Sequence, residues 1–363
     1  MRQALEICSL ALKKNENDVD AWHTLSSIHL RSGSNQKALA AAGRACKLSK
    51  NQIFHLIHLG SCLVAAGRVA EARETAETAR SLSPSKHSDL SNLGALFVTC
   101  DEHQQGYELF KEALLKDNNN AQYWYNLASV QRMLGEIQGS LESVDKALKL
   151  NPADGQAHYL RSDLTTQSEQ KNHIVELKDA LALQQHPSSN EMLLRFALAK
   201  ELEDIGQFSE SFGELEKATK MFRRSIKYDV TSDLKVISEL VAQHSAEALS
   251  STSRGYVDAS PIFIVGLPRS GTTLVERIVA SHSGVGTVGE QNFFALEMIS
   301  KVASTSGSLS YSRSDLVRKV LGIDMNALGQ KYCSQVHQLL PHEGRIVDKM
   351  PINYLYCGLI HAA

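Results

Sequence analysis

A period of 34 residues runs through the first half of the chain and constrains its fold more than any other feature. Three kinds of side chain keep this step. They are large apolar residues (Leu25, Leu59, Leu93, Leu127), small residues (Ala45, Ala79, Ala113, Ala147) and turn-forming residues (Gly33, Gly67, Asp101, Gly135). A fixed period of this length indicates a solenoid, in which one supersecondary unit is stacked many times.

Each 34-residue unit has the pattern of a helical hairpin. Trp22 and Leu25 lie three residues apart, which marks the buried stripe of a first helix. Gly33 follows at a distance that suits the helix C-terminus, where a left-handed residue is favoured. Ala38 and Ala45 lie seven residues apart on a second helix, and small side chains there let two helices approach closely.

These residues resemble the tetratricopeptide repeat in length, phase and residue type over 19–154. The predicted full repeats are 19–52, 53–86, 87–120 and 121–154. A half repeat (1–18), a degenerate unit (155–190), a late repeat (192–225) and a helix (232–249) complete an array over 1–249. The half repeat starts in the phase of a second helix, which leads us to expect a truncated gene product.

Composition narrows the classes of function. The formal net charge of −2 provides no basic field to attract nucleic acid or an anionic membrane. We find no apolar run near 18 residues, so no membrane span is predicted. The six cysteines contain no CxxC pair and the N-terminus lacks the features of a signal peptide. These observations predict a cytoplasmic protein without a metal site.

The segment PIFIVGLPRSGTTLVERIV, 261–279, follows a polar stretch, 250–260, that we predict to be a linker. Ile262–Val265 is a short apolar run of the kind found in a parallel sheet. Gly266 permits a sharp turn and Pro268 fixes the loop. A helix then begins near Gly271, and its first amides have no partner within the helix.

This loop is predicted to hold an anion. Free amides and the helix dipole favour a phosphate or sulfate at a helix N-terminus. Arg269 adds a planar guanidinium that can bind an oxyanion through two hydrogen bonds. The predicted binding residues are Gly266, Pro268, Arg269, Ser270, Gly271, Thr272 and Thr273.

The loop differs from the nucleotide-triphosphate loop, G-x-x-x-x-G-K-[ST], at one decisive position. The spacing of Gly266 and Gly271 fits, but Thr272 stands where that motif has lysine. Because that lysine contacts the β- and γ-phosphates, its absence argues against a kinase or NTPase. A kinase or NTPase remains a less favoured alternative.

The loop resembles the 5′-phosphosulfate-binding loop of the sulfotransferase family in its Pro-Arg-Ser-Gly-Thr-Thr form. GEQNFF (289–294) and DKMPINYLYCGLI (348–360) resemble two further motifs of that family. Together with the repeats they are similar to the tetratricopeptide-repeat sulfotransferases related to the tyrosylprotein enzymes. The resemblance implies Glu290 as catalytic base, Lys349 as a contact of the transferring group, and 3′-phosphoadenosine 5′-phosphosulfate (PAPS) as donor without a metal.

The expected architecture is therefore an α-helical solenoid followed by an α/β P-loop-like sulfotransferase domain over 261–363, with a parallel sheet flanked by helices. The resemblance implies a hydroxyl acceptor, with protein tyrosine the leading candidate, and a protein or peptide partner in the repeat groove. The family's 3′-phosphate segment has no counterpart. We therefore expect 261–363 to be the N-terminal part of that domain, a fragment that has the phosphosulfate end of the donor site and lacks its 3′-phosphate end.

Plainer readings of the same residues stay open at this point. The chain could be an interaction scaffold with an inactive second domain. Glu290 could simply neighbour a helix N-cap, and Lys349 could be a surface lysine. Asp348 could pair with Lys349 or cap the following helix.

Overall fold

The computed structural model describes residues 2–184, 187–252, 254–306, 312–341 and 344–363. These residues form two compact units, Met1–Lys227 and Tyr228–Ala363. The first is helical and the second contains a parallel sheet with helices, so the predicted fold class is confirmed. None of the described helices is long and apolar enough to cross a membrane.

The first unit consists of consecutive helices joined by short turns. They are α1 (Arg2–Lys14), α2 (Val19–Arg31), α3 (Asn35–Leu48), α4 (Ile53–Ala65), α5 (Val69–Ser81), α6 (His87–Thr99), α7 (His103–Lys116), α8 (Ala121–Met133), α9 (Ile137–Leu150), α10 (Gly155–Leu164), α11 (Ile174–Ala182), α12 (Ser189–Asp204) and α13 (Phe208–Ser225). The pairs from α2–α3 to α8–α9 coincide with the four predicted full repeats.

The turn inside each of these repeats uses a left-handed residue, as the sequence predicts. The φ angles are 73° at Gly33, 76° at Gly67, 67° at Asp101 and 80° at Gly135. Glycine adopts this region without steric cost, and aspartate is among the few other residues that tolerate it. The same geometry recurs at Gly206 between α12 and α13, where φ is 79°.

The small residues of the second helices are fully buried where paired helices cross. Ala38, Ala72 and Ser140 are 0% exposed. The Ser140 hydroxyl donates to the Ala128 carbonyl at 2.7 Å, which satisfies a polar group that burial would otherwise penalise. The helices α6 and α7 approach closely at Gly106, since an added Cβ would lie 2.4 Å from Val98 Cγ2.

We expect Gly106→Ala to destabilise the first unit by about 1–3 kcal/mol, because overpacking forces neighbouring groups apart. The new methyl would also meet the rigid Gly94 carbonyl oxygen at 2.9 Å. Gly43→Ala is the matched control, because a Cβ there meets no atom within 4 Å in the described chain. It should stabilise α3 by about 0.5–1 kcal/mol. Urea unfolding of both variants measures this, and equal effects would contradict the packing argument.

The degenerate unit is held by buried polar contacts in place of the repeat pattern. Glu201 on α12 is 0% exposed and accepts hydrogen bonds from the Ser162 hydroxyl at 2.6 Å and the His173 amide at 2.6 Å. Ser168 and Lys171 form an isolated antiparallel bridge between α10 and α11. These contacts explain how helices that lack the 34-residue pattern remain packed.

The second unit includes α14 (Val230–Gln243), α15 (Ala246–Ser250), α16 (Thr272–Val279), α17 (Phe293–Ser306), α18 (Arg313–Lys319), α19 (Met325–Leu339) and α20 (Cys357–Ala362). Short 3-10 helices span Val320–Gly322 and Pro351–Tyr356. Its strands are β1 (Pro261–Phe263), β2 (Val285–Gly289) and β3 (Arg345–Asp348), which pair in the order β1–β3–β2, all parallel.

Three details differ from the sequence-based expectation. The helix predicted over 232–249 is divided into α14 and α15, because Ser245 caps a new helix by accepting from the Ala248 amide. Both helices lie in the second unit, where Arg313 binds Asp233 at 2.7 Å. The predicted linker also contacts this unit, as the Gly255 carbonyl accepts from Asn326 at 3.2 Å.

The central strand β3 forms the core of the sheet, while β1 is shorter and less buried than predicted. Ile346 and Val347 on β3 are 0% exposed, and Ile346 belongs to a hydrophobic cluster with residues of α19. The strand predicted over Ile262–Val265 is observed at Pro261–Phe263 and is only half-buried. It lies at the edge of the described sheet, where one side has no strand neighbour.

Candidate active site

The three sequence motifs meet at the carboxyl edge of the sheet. The anion loop follows β1, Glu290 follows β2, and Lys349 follows β3. Backbone hydrogen bonds hold these ends together: the Lys349 amide donates to the Gly289 carbonyl at 3.0 Å, and the Gly266 amide donates to the Pro351 carbonyl at 3.1 Å. Ligands of parallel α/β sheets bind at this edge, so the topology itself places a site here.

The loop after β1 has the backbone geometry of a tight anion cradle. Arg269 and Gly271 have φ angles of 65° and 90°. Gly271 is the N-cap residue of α16. A Cβ on Gly266 would lie 3.3 Å from both Ser270 Oγ and Thr272 Cγ2, so the loop closes tightly over this glycine. Arginine in the left-handed region is unusual, and such residues often occur at functional sites.

Several hydrogen-bond donors of this loop remain available to a ligand. Within the described ranges, the amides of Gly271, Thr272 and Thr273 donate to no protein acceptor, and the Arg269 guanidinium makes no ion pair. The Ser270 hydroxyl instead donates to the Leu267 carbonyl at 2.6 Å, so its proton stabilises the loop. The free amides and the guanidinium can therefore donate hydrogen bonds to an oxyanion.

A cleft of about 670 Å³ opens in front of the loop. Its lining combines six of the predicted residues with an apolar wall: Pro268, Arg269, Gly271, Thr272, Thr273, Glu290, Met350, Pro351 and Ile352. Gly266 and Ser270 belong to the loop but do not line the cleft. The structure thus brings five of the seven predicted donor-binding residues and the predicted base to one cavity.

Lys349 is buried beneath this cleft and is not a surface lysine. Its side chain is 6% exposed. Its ammonium contacts Glu290 Oε1 directly and lies 3.6 Å from Glu276 Oε2. Glu290 is 55% exposed and also lines the cleft, so its carboxylate joins the buried lysine to the open cavity.

Glu276 and Thr287 are linked to Lys349 through contacts of their side chains, although no sequence motif identified either residue. The Thr287 hydroxyl donates to Glu276 Oε1 at 2.6 Å and accepts from the Gly289 amide at 3.1 Å. The sequence contains one indication of Glu276: it lies four residues after the loop residue Thr272, which places both side chains on the same face of α16. Glu276 and Thr272 are both buried, with 5% and 9% exposure respectively.

Asp348 neither pairs with Lys349 nor caps a helix in the described structure. It is 1% exposed and accepts a hydrogen bond from the Tyr332 hydroxyl at 2.7 Å. Burial raises the pKa of Asp348 to about 6, although the tyrosine bond partly opposes this shift. Burial, together with the adjacent carboxylate, also raises the pKa of Tyr332.

We expect this carboxyl to make the protein less stable as pH rises. Between about pH 4 and pH 6 the folded state binds more protons than the unfolded state, so the free energy of unfolding falls by up to about 3 kcal/mol across this window. Asp348→Asn keeps an acceptor for Tyr332 and removes the titration, so the slope should flatten. Melting temperatures at several pH values measure it.

Asp324→Asn is the control for this titration, because Asp324 is an exposed N-cap of α19 and asparagine caps equally well. It should leave the pH slope unchanged. An unaltered slope in Asp348→Asn would show that another group causes the pH dependence.

Two family models match parts of the chain. Residues 261–363 match the family model described as sulfotransferase family, and residues 103–155 match a tetratricopeptide repeat model. The second unit thus contains a sulfotransferase-like domain, and the first unit contains tetratricopeptide repeats.

Two curated relatives are similar over part of the chain. An uncharacterised protein of Aquifex aeolicus (strain VF5) is 28% identical over 238 residues, 64% of this chain and 31% of that protein. Human protein O-mannosyl-transferase TMTC3 is 25% identical over 167 residues, 46% of this chain and 17% of that protein. The chain therefore matches less than one third of the length of each relative.

Several solved structures are similar to part of the chain. The Cut9–Hcn1 hetero-tetramer of the APC/C matches 54% of this chain and 39% of its own, at 21% identity and a TM-score of 0.44. YrrB, described as a TPR protein with an unusual peptide-binding site, matches 58% of this chain and 99% of its own, at 13% identity and a TM-score of 0.37.

Proposed function

We propose that the protein transfers a sulfuryl group from PAPS to a hydroxyl acceptor. The observation that carries this proposal is the cleft in which free loop amides and Arg269 lie with Glu290, itself in contact with buried Lys349. The sulfotransferase family match over 261–363 supports the same reaction class.

The loop residues fit the phosphosulfate end of the donor. The free amides of Gly271, Thr272 and Thr273 and the Arg269 guanidinium supply donors for oxyanions. When bound, PAPS supplies a sulfuryl group: the bond from sulfur to the phosphate oxygen breaks as a bond from the acceptor oxygen forms, which leaves adenosine 3′,5′-bisphosphate.

Glu290 is proposed to act on the acceptor hydroxyl, and Lys349 is proposed to stabilise the charge that develops during transfer. Glu290 accepts the proton of the acceptor hydroxyl, a role that usually contributes about 10²–10⁴-fold to the rate. Lys349, with its positive charge in a buried setting, stabilises negative charge that develops on the departing phosphate. Cationic side chains thereby perform the task for which phosphoryl-transfer enzymes often use Mg²⁺.

The acceptor is proposed to be a protein, with tyrosine as the modified residue, and the repeats are proposed to dock it. Stacked helical repeats form extended surfaces that commonly bind peptides. The apolar wall of Met350, Pro351 and Ile352 beside Glu290 is suited to the ring of a tyrosine. We propose a cytoplasmic location on the basis of the cysteine pattern.

Donor binding provides the first test. Isothermal titration of the full chain with PAPS, adenosine 3′,5′-bisphosphate and ATP should show tighter binding of the two 3′-phosphorylated nucleotides. Tighter binding of ATP would favour the kinase or NTPase alternative. Absence of binding by all three would favour the scaffold alternative, in which the repeats bind a partner and the second unit is inert.

Transfer provides the second test. Incubation with ³⁵S-labelled PAPS and a tyrosine-containing peptide should label the peptide, while a matched phenylalanine peptide should stay unlabelled. Labelling of a serine peptide instead would retain the sulfotransferase assignment and overturn tyrosine as the acceptor.

A further inference from the structure

We propose that Glu276 is a positioning residue that keeps Lys349 in place as its permanent counter-ion, while Glu290 is free to exchange between Lys349 and the acceptor proton. The catalytic part of this statement rests on the proposed sulfuryl transfer. The structural part rests only on the contacts of the Glu276, Thr287, Glu290 and Lys349 side chains, which we name the lysine network.

The two carboxylates that contact Lys349 differ in exposure. Glu276 is 5% exposed and Glu290 is 55% exposed. A buried carboxylate is costly unless it is paired and hydrogen-bonded, so Glu276 needs a cation more than Glu290 does. Glu290 can lose its contact with the ammonium and gain water, whereas Glu276 has no comparable access to solvent.

The two carboxylates also differ in how firmly they are held. Glu276 Oε1 accepts from the Thr287 hydroxyl at 2.6 Å, which leaves Oε2 facing the ammonium at 3.6 Å. Thr287 is fixed in turn by the Gly289 amide at 3.1 Å. Among the described contacts, the Glu290 carboxylate has only Lys349 as partner. The geometry thus gives one anchored carboxylate and one that can move.

The difference between the two carboxylates explains how Lys349 keeps a counter-ion during the proposed reaction. If Glu290 were the sole counter-ion of Lys349, protonation of Glu290 would leave a buried ammonium without a partner. With Glu276 present, the proton from the acceptor converts Glu290 to a neutral acid while Lys349 and Glu276 remain a neutral pair. The ammonium therefore stays in position through the transfer.

The kinetic test compares Glu276→Gln with Glu297→Gln. The second change removes an equivalent charge on α17, where, among the described residues, Glu297 accepts a hydrogen bond only from Gln335 at 2.9 Å. We expect Glu276→Gln to lower kcat by about 10–100-fold, by analogy with the loss caused by removing the partner that orients a metal-binding side chain. The affinity for adenosine 3′,5′-bisphosphate should stay within about threefold or tighten, because a negative charge near an anion site is removed. Glu297→Gln should change neither quantity.

Thr287→Val provides an independent variant that leaves both charges in place. It removes the hydroxyl that orients Glu276, and it should lower kcat by about 3–10-fold, less than the loss of the carboxylate charge, because Glu276 and Lys349 can still pair. A loss of donor affinity parallel to the loss of kcat in both variants would indicate general damage to the loop and would overturn the inference.

A stability cycle tests the pair without any turnover. Glu276→Gln should lower the melting temperature of the unmodified protein and raise that of Lys349→Met, because the second background holds a buried carboxylate without its cation. Equal shifts in both backgrounds would show that Glu276 and Lys349 are not coupled and would overturn the inference. Coupling without sulfuryl transfer to any acceptor would support the pairing and count against the proposed function alone.

Discussion

Arg269→Ala is expected to lower the affinity for adenosine 3′,5′-bisphosphate by about 100-fold. The guanidinium lines the cleft and is not bound to any carboxylate in the described ranges, so it is available to the ligand. A hydrogen bond to a charged group contributes about 1.5–3 kcal/mol, and a loss of about 2.7 kcal/mol corresponds to that 100-fold change. Isothermal titration measures it directly.

Arg277→Ala is the matched control for this effect. Arg277 is an exposed arginine on α16, the helix that the loop precedes, and it does not line the cleft. Its removal takes away the same charge from the same helix and should change the affinity by less than about threefold. Equal losses in the two variants would mean that the net charge, and not a contact of Arg269, holds the donor.

Lys349→Met is expected to have the largest effect on turnover, with kcat lowered by about 10²–10³-fold, the usual result of removing one group that stabilises transition-state charge. Methionine has nearly the length of lysine without its charge, so the cleft should keep its shape. Donor affinity should fall much less than kcat, because the free amides and Arg269 remain. Single-turnover transfer of ³⁵S from PAPS separates the two quantities.

The same variant should be less stable by about 3 kcal/mol, because removal of one partner leaves the buried Glu276 carboxylate uncompensated. The double variant Lys349→Met with Glu276→Gln should recover most of this stability and none of the turnover. A double variant that regained activity would show that the ammonium has no chemical role, and a single variant of unchanged stability would show that the pair is energetically neutral.

The helical repeats could be predicted closely because their signals are local. Each turn needs a left-handed residue, and Gly33, Gly67, Asp101 and Gly135 stand at the required positions. The anion loop could be predicted for the same reason, since a strand, a glycine turn and a helix N-terminus are adjacent in the chain. Where a local conformation requires a particular residue type, that type occurs at the expected position in the sequence.

The lysine network could be predicted only in part because its members are far apart in the chain. Glu290 and Lys349 were found through motifs, but Glu276 becomes a partner of Lys349 only through the strand order β1–β3–β2. The environments of α14 and β1 were missed for a related reason. Their neighbours belong to other segments of the second unit, and hydrophobic periodicity alone does not identify which segment packs against a helix.

The position of β3 between β1 and β2 has a consequence for the order in which the site forms. Phe263 on β1 and Gly289 on β2 both lie beside Asp348, and neither strand pairs with the other. Until β3 is inserted, the anion loop and Glu290 have no common scaffold, and two strand edges stay unpaired. Such distant pairings form slowly, and unpaired edges invite association with other chains. The strand that brings Lys349 to the cleft thus also joins the two halves of the sheet, so the anion loop, Glu290 and Lys349 come together only when β3 has paired with both neighbours.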